Sequence, residues 1–316
     1  MKKCRIGIDV GGTNIKIALV ESNGTITYSN TLPTRTEMGY EYTINNMKQA
    51  IRELMSETKT DKNSIEGIGF GFPGQIDCQK GIVRLAPNVP GWVDVPIAEM
   101  IEKEFGIPTR VDNDVRCAAL GELNYGAGVG CQNLICITVG TGIGSGLIIN
   151  GKLVRGASNA AGELGHIKLQ MQDGPLCGCG DYGCLEAFAS GPAIVAMAED
   201  YIKGGKSTKY RELGSTEITP YIVAEAAKQG DPVAKRIFTI IGEYIGVGLA
   251  SAVNLLNPEK IIIGGGVADA GEILLGPLRE TLLKRAMPIS GAAVEIVPAK
   301  LGNTAGVIGA SLLIDS

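Results

Sequence analysis

The sequence holds one histidine and one tryptophan, and aromatic residues make up only 5% of it, while glycines number 45, about twice the usual share. Close backbone approaches must therefore be frequent. There is no basic run and the net charge is −4, which argues against nucleic acid or an acidic membrane as a main partner and favours a small polar ligand. No continuous apolar stretch of membrane-spanning length stands out. The start, Met1-Lys2-Lys3-Cys4-Arg5, runs into a strand-like Ile6-Gly7-Ile8-Asp9-Val10 without an h-region or a small-residue cleavage site. A cytoplasmic protein is expected. Low-complexity segments and long linkers are absent, and so are two nucleotide motifs. Gly205-Lys206-Ser207 ends like a Walker A loop, but that motif's first glycine would fall at Asp200, after a segment that reads as helix. Gly140-Thr-Gly-Ile-Gly-Ser-Gly146 leads into a strand where the dinucleotide fingerprint needs a helix, so nicotinamide chemistry is disfavoured.

What is present is a globular composition, 45% hydrophobic and 20% charged, over 316 residues, enough for two domains of ordinary size. Eight cysteines in a reducing compartment are seldom disulfides. Three are clustered in Cys177-Gly-Cys179-Gly-Asp-Tyr-Gly-Cys184-Leu-Glu186, shortly after Gly162-Glu163-Leu-Gly-His166, which carries the lone imidazole. Three thiols and one imidazole are the four ligands a tetrahedral structural zinc takes, so His166, Cys177, Cys179 and Cys184 are the expected metal ligands. Cys4, Cys78, Cys117, Cys131 and Cys136 are expected to be small core residues.

One pattern occurs twice. Ile6 to Val20 aligns without gaps on Ile135 to Ile149, each a strand, a Gly/Thr turn and a returning strand. Each half then has a later apolar run ending in glycines, Ile65–Gly74 and Lys260–Gly266, and a helical segment, Thr43–Thr58 and Pro232–Leu256. Interleaved strands and helices make the class α/β. A further helix over Thr304–Leu313 follows a strand-like Ala293–Val297.

The turns Gly11-Gly12-Thr13-Asn14, Gly140-Thr141-Gly142 and Gly264-Gly265-Gly266 expose backbone N–H groups after apolar strands, which suits polyphosphate. Asp9, at the first of them, is placed to hold Mg²⁺ through water. Val111-Asp112-Asn113-Asp114 reads as a strand end running into a helix. Asp114 there can cap the helix, accept a hydroxyl proton, or do both. Asp112 faces the other way along the strand. Arg116 is expected to pair with Asp112 or a substrate group, or to be solvated.

Taken together, Asp9-Val-Gly-Gly-Thr-Asn14, Val111-Asp-Asn-Asp114, Gly162-Glu-Leu-Gly-His166 and the cysteine loop closely resemble the ROK family of sugar kinases and sugar-responsive repressors, and within it the bacterial glucokinase type. The resemblance runs along essentially the whole chain, with Asp112 where relatives often have Glu. It implies an actin-like ATPase (ribonuclease H-like) fold of two duplicated α/β domains with a cleft between them, divided as residues 1–115 plus 303–316 and residues 116–302, the second carrying the zinc loop. It implies ATP at Asp9, Gly11, Gly12, Thr13, Asn14, Lys16, Gly140, Thr141 and Gly142, with adenosine near Gly264, Gly265 and Gly266. Sugar would meet Gly74, Asn88, Asn113, Asp114, Glu163, His166 and Glu186, with Asp114 the catalytic base. The implied activity is ATP-dependent phosphorylation of the 6-hydroxyl of a hexose, glucose first, with structural Zn²⁺, Mg²⁺ carried with ATP, and a homodimer or higher homo-oligomer. Kinases for N-acetylmannosamine, allose or fructose are the alternatives. A sugar-sensing regulator is a third reading, disfavoured by the acidic balance and by a first phosphate strand that starts at residue 6, leaving no room for a helix-turn-helix.

Overall fold

Alternation of glycine with large apolar residues builds the first sheet. In the strand Ile65–Phe72, Ile68, Phe70 and Phe72 are fully buried in one core. Gly67, Gly69 and Gly71 point to the other face, where a Cβ on Gly69 would lie 1.8 Å from the Ala310 carbonyl oxygen. Gly7 repeats this in Cys4–Val10, where a Cβ would lie 1.9 Å from the Val307 carbonyl oxygen. Only glycine lets the C-terminal helix lie this close to the sheet.

The computed structural model describes residues 3–86, 89, 91–206, 208–209 and 217–315. Contacts divide the chain into two units, Met1–Gln132 with Gly146–Gly162 and Lys300–Ser316, and Asn133–Ser145 with Glu163–Ala299. The elements in chain order are β1 (Cys4–Val10), β2 (Asn14–Glu21), β3 (Ile26–Pro33), α1 (Tyr40–Glu57), β4 (Ile65–Phe72), β5 (Gln75–Asp77), β6 (Ile82–Leu85), β7 (Val93–Val95), α2 (Ile97–Phe105), β8 (Thr109–Asn113) and α3 (Asp114–Tyr125). They continue as β9 (Leu134–Val139), β10 (Ile143–Ile149), β11 (Lys152–Leu153), α4 (Leu185–Ala189), α5 (Gly191–Lys203), α6 (Pro220–Lys228), α7 (Pro232–Leu256), β12 (Lys260–Gly264), α8 (Glu272–Arg285), α9 (Pro288–Ala293), β13 (Glu295–Pro298) and α10 (Ala305–Ser311).

One sheet has the order β3-β2-β1-β4-β8 and the other β11-β10-β9-β12-β13. In the first, β2 is antiparallel to β1 and β3, whereas β4 runs parallel to β1 and β8. In the second, β12 runs parallel to β9 and β13 and β11 is antiparallel to β10. Each is a three-strand meander followed by two parallel strands, and the two aligned sequence segments fall on β1–β2 and β9–β10. The repeat is thus topological as well as sequential. A small antiparallel sheet, β5-β6-β7, has no counterpart in the sequence reading.

The first unit packs α1 residues Ile44, Met47, Ile51 and Leu54 with Ile6, Ile8, Ile15 and Ile17, each at most 1% exposed. Each such side chain contributes roughly 1.5–3 kcal/mol. Phe72 and Trp92 close this core with ring centroids 4.3 Å apart. The unit takes in all of α3, past the sequence division at residue 115, because Gly121 and Gly309 bring α3 and α10 into backbone contact. The buried Glu122 carboxylate also accepts the N–H groups of Lys300 and Leu301 at 3.2 and 2.7 Å.

In the second unit α7 spans the residues expected. Pro232 is its first residue, Asp231 accepts the Ala234 N–H at 2.7 Å, and Asn257 ends it in the left-handed region at φ 46°. It is the one helix among the described residues long and apolar enough to cross a membrane, a length the sequence reading had not credited. Its Ile237, Phe238, Ile241, Ile245, Leu249 and Val253 are wholly buried in this unit, and Gly242 and Gly246 let α8 approach it closely. The segment before Gly205 is helical, as expected for a surface turn and not a Walker A loop, and Ser207 lies outside the described residues. The Ala293–Val297 strand is shortened, since α9 runs to Ala293 and β13 begins at Glu295. Cys4, Cys117 and Cys136 are buried, whereas Cys78 and Cys131 are only half-buried and correct the expectation of five core cysteines.

In Gly309→Ala a Cβ would lie 1.6 Å from the Cys117 carbonyl oxygen. Urea unfolding is expected to show a loss of about 3 kcal/mol or more. Gly266→Ala, whose Cβ would meet nothing within 4 Å, is expected to leave the unfolding midpoint unchanged.

Candidate active site

The strand-to-helix junction at residues 112–116 orients three consecutive polar side chains differently. Asn113, not Asp114, is the N-cap of α3: its Oδ1 accepts the N–H groups of Val115 and Arg116 at 3.0 and 3.2 Å. Asp114 is instead the first helical residue and accepts the Val115 N–H at 2.9 Å. The correction has a simple cause, because Asn113 has the extended backbone, φ −65° and ψ 142°, that a cap requires. Its Nδ2 points to the Gly74 carbonyl at 3.4 Å, so the sequence-predicted Gly74, Asn113 and Asp114 come together. Asn88 lies outside the described residues.

Burial pushes the Asp114 carboxyl up to about 6, the negative charge of Asp9 adds to the rise, and the Val115 N–H opposes it. Burial also raises Asp9, against the pull of Lys16, its cross-strand partner. Lys16 Nζ donates to the Asn303 carbonyl at 3.0 Å. Two carboxyls raised in one neighbourhood favour a proton acceptor beside a cation site. At the tip that follows Asp9, Gly11 N–H donates to the Asn14 carbonyl at 2.9 Å, and Thr34 holds the Gly11 and Thr13 carbonyls through Oγ1 and N–H at 2.7 and 2.8 Å. Among the described residues the exposed N–H groups of Gly12 and Thr13 have no acceptor, as a phosphate cradle requires.

The second unit repeats the device. Gly140 N–H donates to the Gly142 carbonyl at 2.9 Å, and Gly264–Gly266 turns beside the end of β9. Gly265 has φ 86°, and a Cβ there would lie 2.4 Å from the Val139 carbonyl oxygen, so no other residue fits. A Cβ on Gly140 or Gly266 would meet nothing, which leaves open space at both turns.

The sulfur cluster lies in this unit. Turn bonds from Cys177 N–H to Asp181 O and from Gly180 N–H to Cys177 O, at 2.8 and 2.9 Å, fold the loop back on itself. A side chain at Gly183 would overlap the Gln170 carbonyl, so glycine is obligatory there. The ligand atoms of His166, Cys177, Cys179 and Cys184 all lie within 4.8 Å of one another. The Cys179–Cys184 sulfur separation and the separation of Cys177 Sγ from His166 Nδ1 are both 3.7 Å. A tetrahedron with Zn–S bonds near 2.3 Å has edges of about 3.8 Å, so the donor set fits a zinc ion. Burial pushes the Cys177 thiol up to about 12, and a cation is what would let these thiols ionise together. Nδ1 is the His166 nitrogen on the sulfur side, and Nε2 faces Glu163 Oε2 at 4.0 Å. Glu186 Oε1 lies 3.6 Å from Cys177 Sγ, while Oε2 accepts the Ile143 N–H at 2.8 Å. Glu163, His166 and Glu186 are thereby gathered around the loop, and Glu186 ties it to the Gly140–Gly142 turn.

Of the alternatives open for Arg116 the structure selects pairing with Asp112, at 3.0 Å with both buried. Two other residues escaped the sequence reading. Arg155, at 2.7 Å on the other oxygen of Asp112, left no local signal because it lies 43 residues away. Lys168, whose Nζ is 2.9 Å from Cys184 Sγ and 2.7 Å from Asp181, was visible only as a charge near the loop.

The ROK family model matches residues 5–316. A glucokinase of Halalkalibacterium halodurans is 38% identical over 98% of this chain and 94% of its own. A xylose repressor of Caldicellulosiruptor bescii is 34% identical over 98% of this chain and 78% of its own. Among solved structures, a ROK family glucokinase from Streptomyces griseus, in complex with glucose and AMPPNP, superposes with a TM-score of 0.85 at 36% identity over 98% of both chains. Two five-stranded sheets of one strand order, with glycine turns on their first hairpins, are the actin-like ATPase fold. Its sequence, its duplicated topology and its cysteine loop together make this chain a member of the ROK family.

Proposed function

We propose that the protein is an ATP-dependent sugar kinase that transfers the γ-phosphoryl group to the 6-hydroxyl of a hexose, glucose first. The observation that carries this is Asp114, a carboxyl raised to about 6 at the first turn of α3 and close enough to Asp9 to feel its charge. A base of that strength is largely ionised at neutral pH and still accepts a proton readily. The bond formed joins the sugar O6 to phosphorus, the bond broken joins phosphorus to the β-phosphate bridging oxygen, and the hydroxyl proton passes to Asp114. Asp9 would hold Mg²⁺ through water, and that ion, when bound, screens the phosphate charge. The turns at Gly11–Asn14 and Gly140–Gly142 offer N–H groups to the phosphates, and the open Gly264–Gly266 turn takes the adenosine. Lys16 serves by neutralising Asp9.

Sugar hydroxyls meet Asn113, Asp114, Glu163, His166 and Glu186, with Gly74 offering backbone. Cys177, Cys179, Cys184 and His166 Nδ1 would hold a zinc ion, which would fix the imidazole and leave Nε2 for a sugar hydroxyl. The thiols take no part in the chemistry. The reading includes a cytoplasmic location, where ATP and free thiols coexist, and a homo-oligomer, for which the exposed Leu255, Leu283, Met287 and Ile289 are suited. The similarity to a xylose repressor favours one further reading, a sugar-sensing regulator, which would bind sugar without turnover.

A coupled ADP-release assay over a panel of glucose, N-acetylmannosamine, allose and fructose is expected to show turnover with Mg²⁺-ATP, highest for glucose. Sugar binding without ADP release would favour the regulator. Asp114→Asn is expected to lower kcat by on the order of 10²–10⁴-fold while glucose still binds in calorimetry, and full activity would refute the base. Atomic absorption should find about one zinc per chain, lost in Cys179→Ser and kept in Cys136→Ser, as the four-ligand reading requires.

A further inference from the structure

The buried ion cluster beside the candidate base has no part in the proton transfer proposed above, yet it joins several segments of the first unit. Asp112 is fully buried and accepts three donors: Arg116 Nη1 at 3.0 Å and the Asn113 N–H at 2.8 Å on Oδ1, and Arg155 Nε at 2.7 Å on Oδ2. Two guanidiniums thus share one carboxylate. The second arm of Arg116, whose side chain is 4% exposed, donates to the carbonyls of Asn159 and Ala161 at 2.7 and 3.2 Å. The segment so gripped has little structure of its own: Gly156, Asn159 and Gly162 all have positive φ, at 74°, 59° and 94°. Asn159 is held from its other side by the Cys78 thiol, which donates to Oδ1 at 3.1 Å. Gly162 is joined directly to Glu163, the first sugar candidate of the Gly-Glu-Leu-Gly-His motif.

We infer that Asp112, Arg116 and Arg155 form a clamp that fixes the segment 155–162 to the junction carrying Asn113 and Asp114, and so anchors Gly162, the residue from which the candidate sugar ligand Glu163 continues. The inference rests on the sugar-kinase reading. Its physical basis is the planar fork of Arg116, which reaches an anion and two carbonyls at once, as a lysine cannot. The three are positioning residues, and the chemistry stays with Asp114.

The test compares wild type with Arg116→Lys and Arg116→Met by amide hydrogen exchange of the resting protein and by steady-state kinetics with glucose and Mg²⁺-ATP. Exchange should accelerate selectively at residues 156–162. Glucose KM should rise about tenfold in Arg116→Met and about threefold in Arg116→Lys, with kcat and the KM for ATP within about twofold of wild type, the pattern of lost ground-state binding. Arg116→Lys keeps the charge on Asp112, so it decides the matter by itself if Arg116→Met does not fold. Unchanged exchange and glucose KM in the lysine variant would overturn the clamp, as would a fall in kcat in step with a general loss of exchange protection. Absence of turnover in wild type overturns the kinase reading alone, and exchange at 156–162 still decides whether the clamp exists.

Discussion

The side-chain cap that Asn113 places on α3 is the interaction on which the candidate site depends. Capping forces residue 113 to stay extended while residue 114 turns helical, so the chain changes direction between two aspartates. Asp112 is sent into the interior, where two arginines neutralise it, whereas no cation among the described residues pairs with Asp114. One carboxylate is thereby satisfied and the other raised, although they stand two residues apart. The helix so started is locked by glycine contacts to α10, which lies on the glycine face of β1 and β4. Backbone packing and the base's environment are consequences of one turn.

The second unit uses a different constraint for a similar end. Its sulfur loop has almost no regular structure, and turn bonds, obligatory glycines and the metal-like donor set do the work a core would do elsewhere. Glu186 adds a link that neither motif implies, since one carboxylate touches Cys177 and the backbone of Ile143 together. A single side chain thus joins the sulfur loop to the Gly140–Gly142 turn.

Much of this was legible in the sequence because it is local or repeated. The hairpin pattern written twice foretold β1–β2 and β9–β10, and α7 is bounded by its own cap and proline. The clustering of His166, Cys177, Cys179 and Cys184 was legible because three of the four lie within eight residues of one another in the sequence. Which of two adjacent polar residues caps α3 was not legible, because Asn113 and Asp114 are equally good caps by type and only the backbone decides. Arg155 could not have been paired with Asp112 from pattern, since no periodicity connects positions on a strand end and a distant loop. The small β5-β6-β7 sheet was missed for a related reason: strands of three or four residues carry too few alternations to register.

The central claim is that a carboxyl raised to about 6 at position 114 takes the hydroxyl proton. The base works only when ionised, so activity is full above that pH and falls as protons return. The direct test is the pH dependence of kcat/KM for glucose, which reports groups of the free enzyme. A tenfold fall per pH unit below about 6 is the predicted result. A profile flat down to the ordinary carboxylate range near 4 would contradict it.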